Sequence, residues 1–330
     1  MKWFVRRIGV ALGASFLLSV AGVFCGAVTL TQADEISVTQ WGSSLYGLPY
    51  AVAMDKGLFK KAGVDITGIL TSSGGGTTVR NILASKTPYG EVAVAAALAA
   101  QRQGMDLVIV NVGTRSVAEA SMVTMPNANV QTVADLAGKK VVVWHGGSSE
   151  YLLLKALAQN HIPDSSVQRV YLQPNQSAAV LHSGQVDAWA TWATFSISER
   201  ANAGEHFLVT GGDIGSQNYA VWAVRNEFAT AHPAVVKALY TYLHDAETKQ
   251  AQNPEAYINV FHTSGPDAVS GKEKDLTIAD YKAGSPTSPI TAADQANFKE
   301  VAQFFADEKV TPGVVDLAPN VLDVTTLAGS

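Results

Sequence analysis

The sequence predicts an α/β protein folded into two lobes. Three observations lead there. Short β-branched runs alternate with amphipathic helical runs along most of the chain. The 297 residues left after an N-terminal leader exceed what one core of this class usually holds. Several strand-to-helix junctions are small, polar or aromatic, as they are where a cleft opens beyond the carboxyl ends of strands.

Residues 1–33 read as a secretory leader. Lys2, Arg6 and Arg7 precede an uncharged apolar run from Ile8 to Leu30, and Thr31 and Ala33 supply small residues for cleavage before Asp34. A retained anchor is the alternative, because the run is long enough to span a bilayer. Phe24 stands before Cys25 where a lipidation signal needs a small residue, and the residues after Arg6-Arg7 fit twin-arginine export poorly. Cleavage removes Cys25, the only cysteine, so the mature chain can form no disulfide and has no thiol nucleophile. It leaves 20 basic against 28 acidic side chains, net −8. That balance argues against nucleic-acid binding.

The elements follow in order. "EISVTQW" (35–41) alternates at period two and reads as a strand, "PYAVAMDKGLF" (49–59) as a helix closed by Gly57, and "VDITGIL" (64–70) as a strand. "TTVRNILAS" (77–85) is a short helix after the glycine-rich "SSGGG", and "DLVIVNV" (106–112) is a buried strand. "TVADLAG" (132–138) is a small helix with Thr132 and Asp135 spaced as a capping box. Then come strand "KKVVVW", a helix from Ser149 to about Asn160, strand "VQRVYL", a helix ending near Gly184, and strand "VDAWATW". Beyond Trp222, "HPAVVKALYTYLHDAETKQAQN" (232–253) is a long helix with Pro233 at its start. "TAADQANFKEVAQFFADEKV" (291–310) is another, with Thr291 and Asp294 as a second capping box. The segment between these two helices reads as loop-rich, and the tail after Thr311 has no clear period.

"VVVWHGGSSEYLLLKAL" (141–157) concentrates the functional question. Glycines let the backbone turn sharply and approach a partner closely. Ser148 or Ser149 can cap the following helix, whose first N–H groups attract anions. An ordinary strand–turn–helix junction is the alternative. Similar junctions are 41–47, 71–78, 89–93 and 190–195, while 111–116 and 215–220 are candidate crossovers between lobes. From these stretches the ligand-contacting candidates are Ser43, Ser44, Tyr46, Gly75, Thr77, Arg115, His145, Gly147, Ser148, Ser149, Trp192 and Asn218.

Each candidate has a plainer role open to it. Ser43 and Ser44 can simply cap a helix, and Gly74–Gly76 lack a P-loop lysine or dinucleotide spacing. Glu91 is expected to be a surface or hinge carboxylate. Arg115 can pair with a ligand anion or with Glu119, and of Trp189 and Trp192 one fits a core and the other an aromatic wall. His145 has no second histidine at metal-ligand spacing, so neither a metal nor a cofactor is expected. There is no Gly-x-Ser-x-Gly elbow and no HExxH, which favours a binder over an enzyme.

"GLPYAVAMDKGLFKKAGVDI", "TVADLAGKKVVV", "GSSEYLLLKAL", "VQRVYLQP", "SGQVDAWATW" and "RNEFATAHPAVVKAL", in that order, resemble the periplasmic binding proteins for aliphatic sulfonates, taurine and nitrate. The resemblance covers about residues 36–250. It implies a two-lobed type II binding-protein fold with ligand in the interlobe cleft, lobe I being residues 34–115 plus 220–330 and lobe II residues 116–219. The family's Gly-Ser-Ser loop maps onto Gly147, Ser148 and Ser149, its first-strand loop onto Ser43 to Tyr46, and its Asp-Ala-Trp strand end onto Asp187 to Trp192. "ATWATF" and "YGEVAVAA" depart from the family pattern, which leaves the ligand's identity open. The implied function is a monomeric periplasmic protein that captures a small organic anion, a sulfonate in preference to a carboxylate, for an ABC permease in the inner membrane. The rival classes are an enzyme on the same fold, resembling a pyrimidine-precursor synthase or a desulfinase, and a sensor that presents ligand to a receptor. Export is tested directly: mass spectrometry of periplasmic protein is expected to find an N-terminus at or near Asp34, and full-length chain in the membrane fraction would overturn the leader.

Overall fold

The computed structural model describes residues 36–39, 69–72, 74–84, 88–113, 115, 120–216, 218–258 and 269–327. The expected leader, the helix at 49–59, and Ser43, Ser44 and Tyr46 lie outside the described residues. Among the described residues no helix is long and apolar enough to cross a membrane.

Two five-stranded sheets organise the chain. The first contains β1 (Ile36–Thr39), β2 (Ile69–Ser72), β3 (Tyr89–Ala93), β4 (Leu107–Val112) and β10 (Ala220–Arg225) in the order β2-β1-β3-β10-β4. β1, β2 and β3 are parallel, while β10 runs antiparallel to both β3 and β4. The second contains β5 (Ser121–Thr124), β6 (Lys140–Val143), β7 (Gln168–Tyr171), β8 (Ala188–Thr191) and β9 (His206–Thr210) in the order β7-β6-β8-β5-β9. Here β6 is parallel to β7 and β8, and β5 runs antiparallel to β8 and β9.

Helices cover both faces of the first sheet. α1 (Gly75–Ala84), α2 (Val94–Arg102) and α9 (Ala292–Asp307) lie on one side; α6 (Asn226–Ala231) and α7 (Pro233–Gln252) lie on the other. β4 shows why a continuous apolar run is needed. Leu107 and Ile109 enter the core with Ile82 and Phe298, and Val108 and Val110 enter the opposite core with Phe228 and Leu239. On the second sheet, α3 (Ser148–Gln159) packs Leu152, Leu153 and Leu157 against Val141, Val143 and Ala190. α4 (Pro174–His182) and α5 (Ala193–Asn202) cover the other face, where Trp189 is buried with Leu181. α8 (Gly271–Ala283) reaches across to α5: Asn202 Nδ2 donates to Glu273 at 3.2 Å, and Lys272 Nζ to the Arg200 carbonyl at 2.9 Å. On the opposite flank α3 meets α9, with Tyr151 edge-on to Phe304 and Phe305 and Lys155 Nζ 3.1 Å from Glu300.

The structure corrects three expectations. Residues 89–93 are not a junction but a buried strand, and the alanine-rich run after it is α2, a helix too enclosed to show a polar face. The stretch read as loop-rich contains α8, whose mixed surface has no apolar stripe to mark it. The crossover read over 215–220 ends in Ala220, which already opens β10 inside the first sheet.

Both expected capping boxes form. Thr132 N–H donates to the Asp135 carboxylate at 2.8 Å, ahead of a short 3-10 turn at Val133–Leu136. At α9, Thr291 N–H donates to Asp294 at 2.9 Å and Asp294 N–H returns to Thr291 Oγ1 at 3.2 Å. Asp294 does more than close its helix. Its other oxygen accepts from Arg115 Nη2 at 2.5 Å and from the Tyr219 hydroxyl, and the Arg115 guanidinium lies 4.5 Å above the Tyr219 ring. Both chain passages between the sheets are thereby tied to one buried carboxylate. Burial works to raise the Asp294 pKa, but the bonds from Thr291 and Tyr219 and the Arg115 charge outweigh it and hold the carboxyl below its ordinary value. A depressed folded pKa contributes stability that is present above the unfolded value of about 4 and is lost as pH falls through the folded value. Denaturant titrations are expected to show Thr291→Ala costing about 1 kcal/mol and Asp294→Ala about 3 kcal/mol, the latter because Arg115 and Tyr219 lose their acceptor. Asp294→Asn should also flatten the loss of stability below about pH 4; an unchanged acid limb would refute this role.

Candidate functional site

A cleft of about 270 Å³ lies where the carboxyl ends of β2, β3, β6 and β8 face one another, the position expected of a ligand site in open α/β sheets. Its walls come from both sheets. Gly74, Gly75, Gly76, Val79 and Arg80 line it from the start of α1, and Glu91, Val92, Ala93, Ala96, Ala99 and Ala100 from β3 and α2. Trp144, His145, Gly146, Gly147 and Ser148 line it from the β6–α3 loop, joined by Trp192 at the end of β8.

The β6–α3 loop is held by two buried side chains. Ser149 Oγ accepts from the Trp144 N–H at 2.8 Å. Glu150 accepts from the Gly146 N–H at 2.7 Å, from Arg169 Nη1 at 3.1 Å and from the Tyr171 hydroxyl at 2.7 Å, and lies 3.0 Å from His145 Nδ1. The Tyr171 hydroxyl is pushed up to about 12 by burial and by the Glu150 carboxylate. Gly146 turns the chain at φ 67°, a region a side chain would strain. Gly147 has ordinary backbone, but a Cβ there would lie 3.1 Å from Trp144 Cδ1; the indole needs that space. The same indole faces the other wall, since a Cβ on Gly74 would lie 3.5 Å from Trp144 Nε1.

The expected serine cap does not form. Gly147 is the N-cap of α3 with no side-chain bond, and both serines lie in the first turn. Ser149 is fully buried and holds the loop, so it does not line the cleft; Ser148 does, and its hydroxyl has no partner among the described residues. The first N–H groups of α3 and α1 have no acceptor within their helices, and both helices start at the cleft. Gly75, His145, Gly147 and Trp192 also line it. His145 reaches it with a side chain 68% exposed, and Trp192 stands edge-on to Phe195, while Trp189 belongs to the core.

Three other candidates sit elsewhere. Arg115 pairs with Asp294 rather than with a group in the cleft. Asn218 is buried and accepts from the Ala95 N–H at 2.9 Å, closing the first turn of α2. Thr77 Oγ1 accepts from Arg80 Nη2 at 3.0 Å, and Thr77 is not part of the lining. Arg80, which sequence reasoning passed over, is the one lysine or arginine lining the cleft among the described residues. Its signal was available: Arg80 follows Gly76 by four residues, one turn along a helix that starts at the glycine loop.

Glu91 is not a surface carboxylate. It is 3% exposed, opposite Trp222 in the middle of the first sheet, and it lines the cleft. A Cβ on Gly113 would come 2.5 Å from Glu91 Oε1, so Gly113 leaves the carboxylate its room. The arrangement therefore offers anion-binding donors at two helix starts, one serine hydroxyl and one guanidinium. A wall of Val79, Val92, Ala96, Ala99 and two indoles suits a hydrocarbon body, and a buried carboxylate stands behind it.

Residues 45–257 match the family model described as NMT1/THI5 like. A relative from Escherichia coli strain K12 named "Putative aliphatic sulfonates-binding protein" is 27% identical over 232 residues, 70% of this chain and 71% of its own. The alkanesulfonate-binding protein SsuA from Xanthomonas axonopodis pv. citri, solved with MOPS bound, superposes with a TM-score of 0.77 at 22% identity, covering 88% of this chain and 97% of that one. The periplasmic aliphatic sulphonate binding protein SsuA from Escherichia coli gives 0.75 at 23% identity, covering 90% and 94%. These likenesses establish the periplasmic binding-protein fold. Since the family model spans well over half of the sequence, the chain belongs to the NMT1/THI5 like family.

Proposed function

We propose that this protein is an exported solute-binding protein that captures a small organic anion, a sulfonate in preference to a carboxylate, and delivers it to an ABC permease of the inner membrane. The observation that carries this reading is the pair of helix starts, α1 and α3, that open onto one apolar cleft from different sheets. Helix N-termini favour negative charge, and here their donors flank hydrocarbon walls and two indoles. The names of the relatives from Escherichia coli and Xanthomonas support the same ligand class. The periplasm is the proposed compartment, with residues 1–33 as leader and the mature chain a monomer.

The mechanism in this reading is hinge closure between lobe I (34–115 plus 220–330) and lobe II (116–219). Ligand contacts made from both walls stabilise the closed state and shift an equilibrium that exists without ligand. In this scheme Trp144 and Ser148 approach from lobe II, and Gly75 and Arg80 from lobe I. The anion's charge is shared between Arg80, the Ser148 hydroxyl and the backbone of Gly147 and Ser148, with Trp192 against its apolar part.

A thermal-shift screen over alkanesulfonates, taurine, aromatic carboxylates, nitrate and pyrimidines identifies the ligand, because binding to the folded state alone raises Tm. A sulfonate is expected to give the largest shift, and no shift with any anion would overturn the reading. With the ligand in hand, calorimetry is expected to show Ser148→Ala and Arg80→Ala each weakening binding about tenfold to hundredfold, the loss of one hydrogen bond to a charged group. Arg115→Ala should lower stability and leave affinity within about twofold. Ser149→Ala should loosen the Trp144 loop and lower apo stability by about 1 kcal/mol. Unchanged affinity in both Ser148→Ala and Arg80→Ala would place the anion elsewhere.

A further inference from the structure

We infer that His182, Glu199 and Glu205 form a binding site for one divalent transition-metal ion, zinc by preference, remote from the cleft. His182 ends α4, Glu199 lies in the second half of α5, and Glu205 is the residue before β9. β9 and β8 both run antiparallel to β5, so they run the same way, and Glu205 stands at their amino-terminal end. The cleft lies at the opposite, carboxyl end, and none of the three residues lines it.

The three side chains converge closely. His182 Nε2 is 2.7 Å from Glu199 Oε2 and 3.2 Å from Glu205 Oε1, and one ligand atom from each residue lies within 4.8 Å of the others. Around a tetrahedral zinc with bonds of about 2.0–2.1 Å, neighbouring ligand atoms stand about 3.3 Å apart. The two contacts made by the imidazole reach that geometry by lengthening about 0.6 Å or less.

Charge and burial point to a cation. Among the described residues no lysine or arginine pairs with either carboxyl group; both meet the one imidazole, and burial together with a side-chain hydrogen bond to Glu199 and the Glu199 charge pushes Glu205 up to about 9. The Glu205 side chain is fully buried, and its Oε2 has no hydrogen-bond partner although it belongs to a group already turned toward His182. Two carboxyl groups this close and this enclosed disfavour each other's ionised form, and a metal ion would hold both as ligands and give Glu205 Oε2 a partner. His182 keeps 42% of its side chain exposed, which leaves an entry path from solvent. One imidazole with two carboxylates suits zinc and its transition-metal neighbours, with water in the remaining position; magnesium prefers an all-oxygen octahedron that keeps several waters. Bound there, the ion would join α4, α5 and β9, and α5 begins beside Trp192 in the cleft wall.

The test uses the untagged mature protein after treatment with a chelator, in the absence of any organic ligand. Titration with zinc chloride at neutral pH is expected to show one ion per chain in calorimetry and a rise in Tm, with magnesium chloride giving neither. His182→Ala and Glu205→Gln should each weaken zinc binding at least tenfold while the far-ultraviolet circular dichroism stays native. If His182→Ala fails to fold, His182→Gln keeps the comparison, since it retains a hydrogen-bonding side chain of similar length. Absence of zinc binding to the native protein, or binding unaffected by both substitutions, would overturn the site.

Discussion

The architecture depends on where the chain lays the first strand after each passage between the two sheets. β5, reached after the chain leaves the first sheet, is inserted between β8 and β9 of the second; β10, reached on return, is inserted between β3 and β4 of the first. Each inserted strand is hydrogen-bonded on both sides, so removing it would strip two ladders of their partners at once. The chain therefore passes twice between sheets at places anchored at both ends. Gly113 N–H donates to the Ala220 carbonyl at 2.8 Å, so the outgoing and returning passages are bonded to each other at the first sheet. Asp294, holding Arg115 and Tyr219 together, secures the same place from the α9 side.

That constraint leaves the carboxyl ends of two parallel strand sets facing one gap, and the local chemistry follows from it. A strand-to-helix turn at such an end brings a helix N-terminus with it, and a glycine there admits close neighbours. At α3 the neighbour is the Trp144 indole; at α1 a Cβ on Gly75 would touch Ala96 at 3.0 Å. Polarity in the loop is spent on rigidity as much as on recognition. Glu150 is surrounded by donors from four residues and Ser149 is turned inward, so the loop that presents Ser148 and Gly147 is preset rather than left to order around a ligand. In the proposed role as an anion receptor, this rigidity lowers the entropic cost of binding.

The contacts flanking the gap differ in character. Tyr151 with Phe304 and Phe305 is an apolar seam, closed at its rim by Lys155 and Glu300. The α5–α8 contacts are polar and exposed, each involving a long side chain. Exposed pairs of this type contribute little to stability. They can part at small cost, whereas the aromatic seam cannot open without exposing buried rings to water.

Sequence alone determined whatever rests on local chemistry. The apolar run of β4, the capping boxes at Thr132 and Thr291, Pro233 at the start of α7 and the glycine turn before α3 are short-range patterns that can be read without knowing their partners. The order of motifs through residues 36–250 also carried the fold class. Tertiary structure decided what depends on which segments meet. β5 and β9, four and five residues long, take their stability from neighbours, so "SMVT" and "HFLVT" carry too little pattern to stand out. Ser148 and Ser149 are chemically identical and adjacent, yet one faces the cleft and the other ties the Trp144 backbone, because consecutive helical positions point about 100° apart. Arg115 found Asp294, 179 residues away, and Glu91 became a buried wall because β10 covered its strand. His182, Glu199 and Glu205 lie too far apart in sequence for any spacing rule, and only the packing of α4 and α5 on the second sheet brings a histidine and two carboxylates to one point.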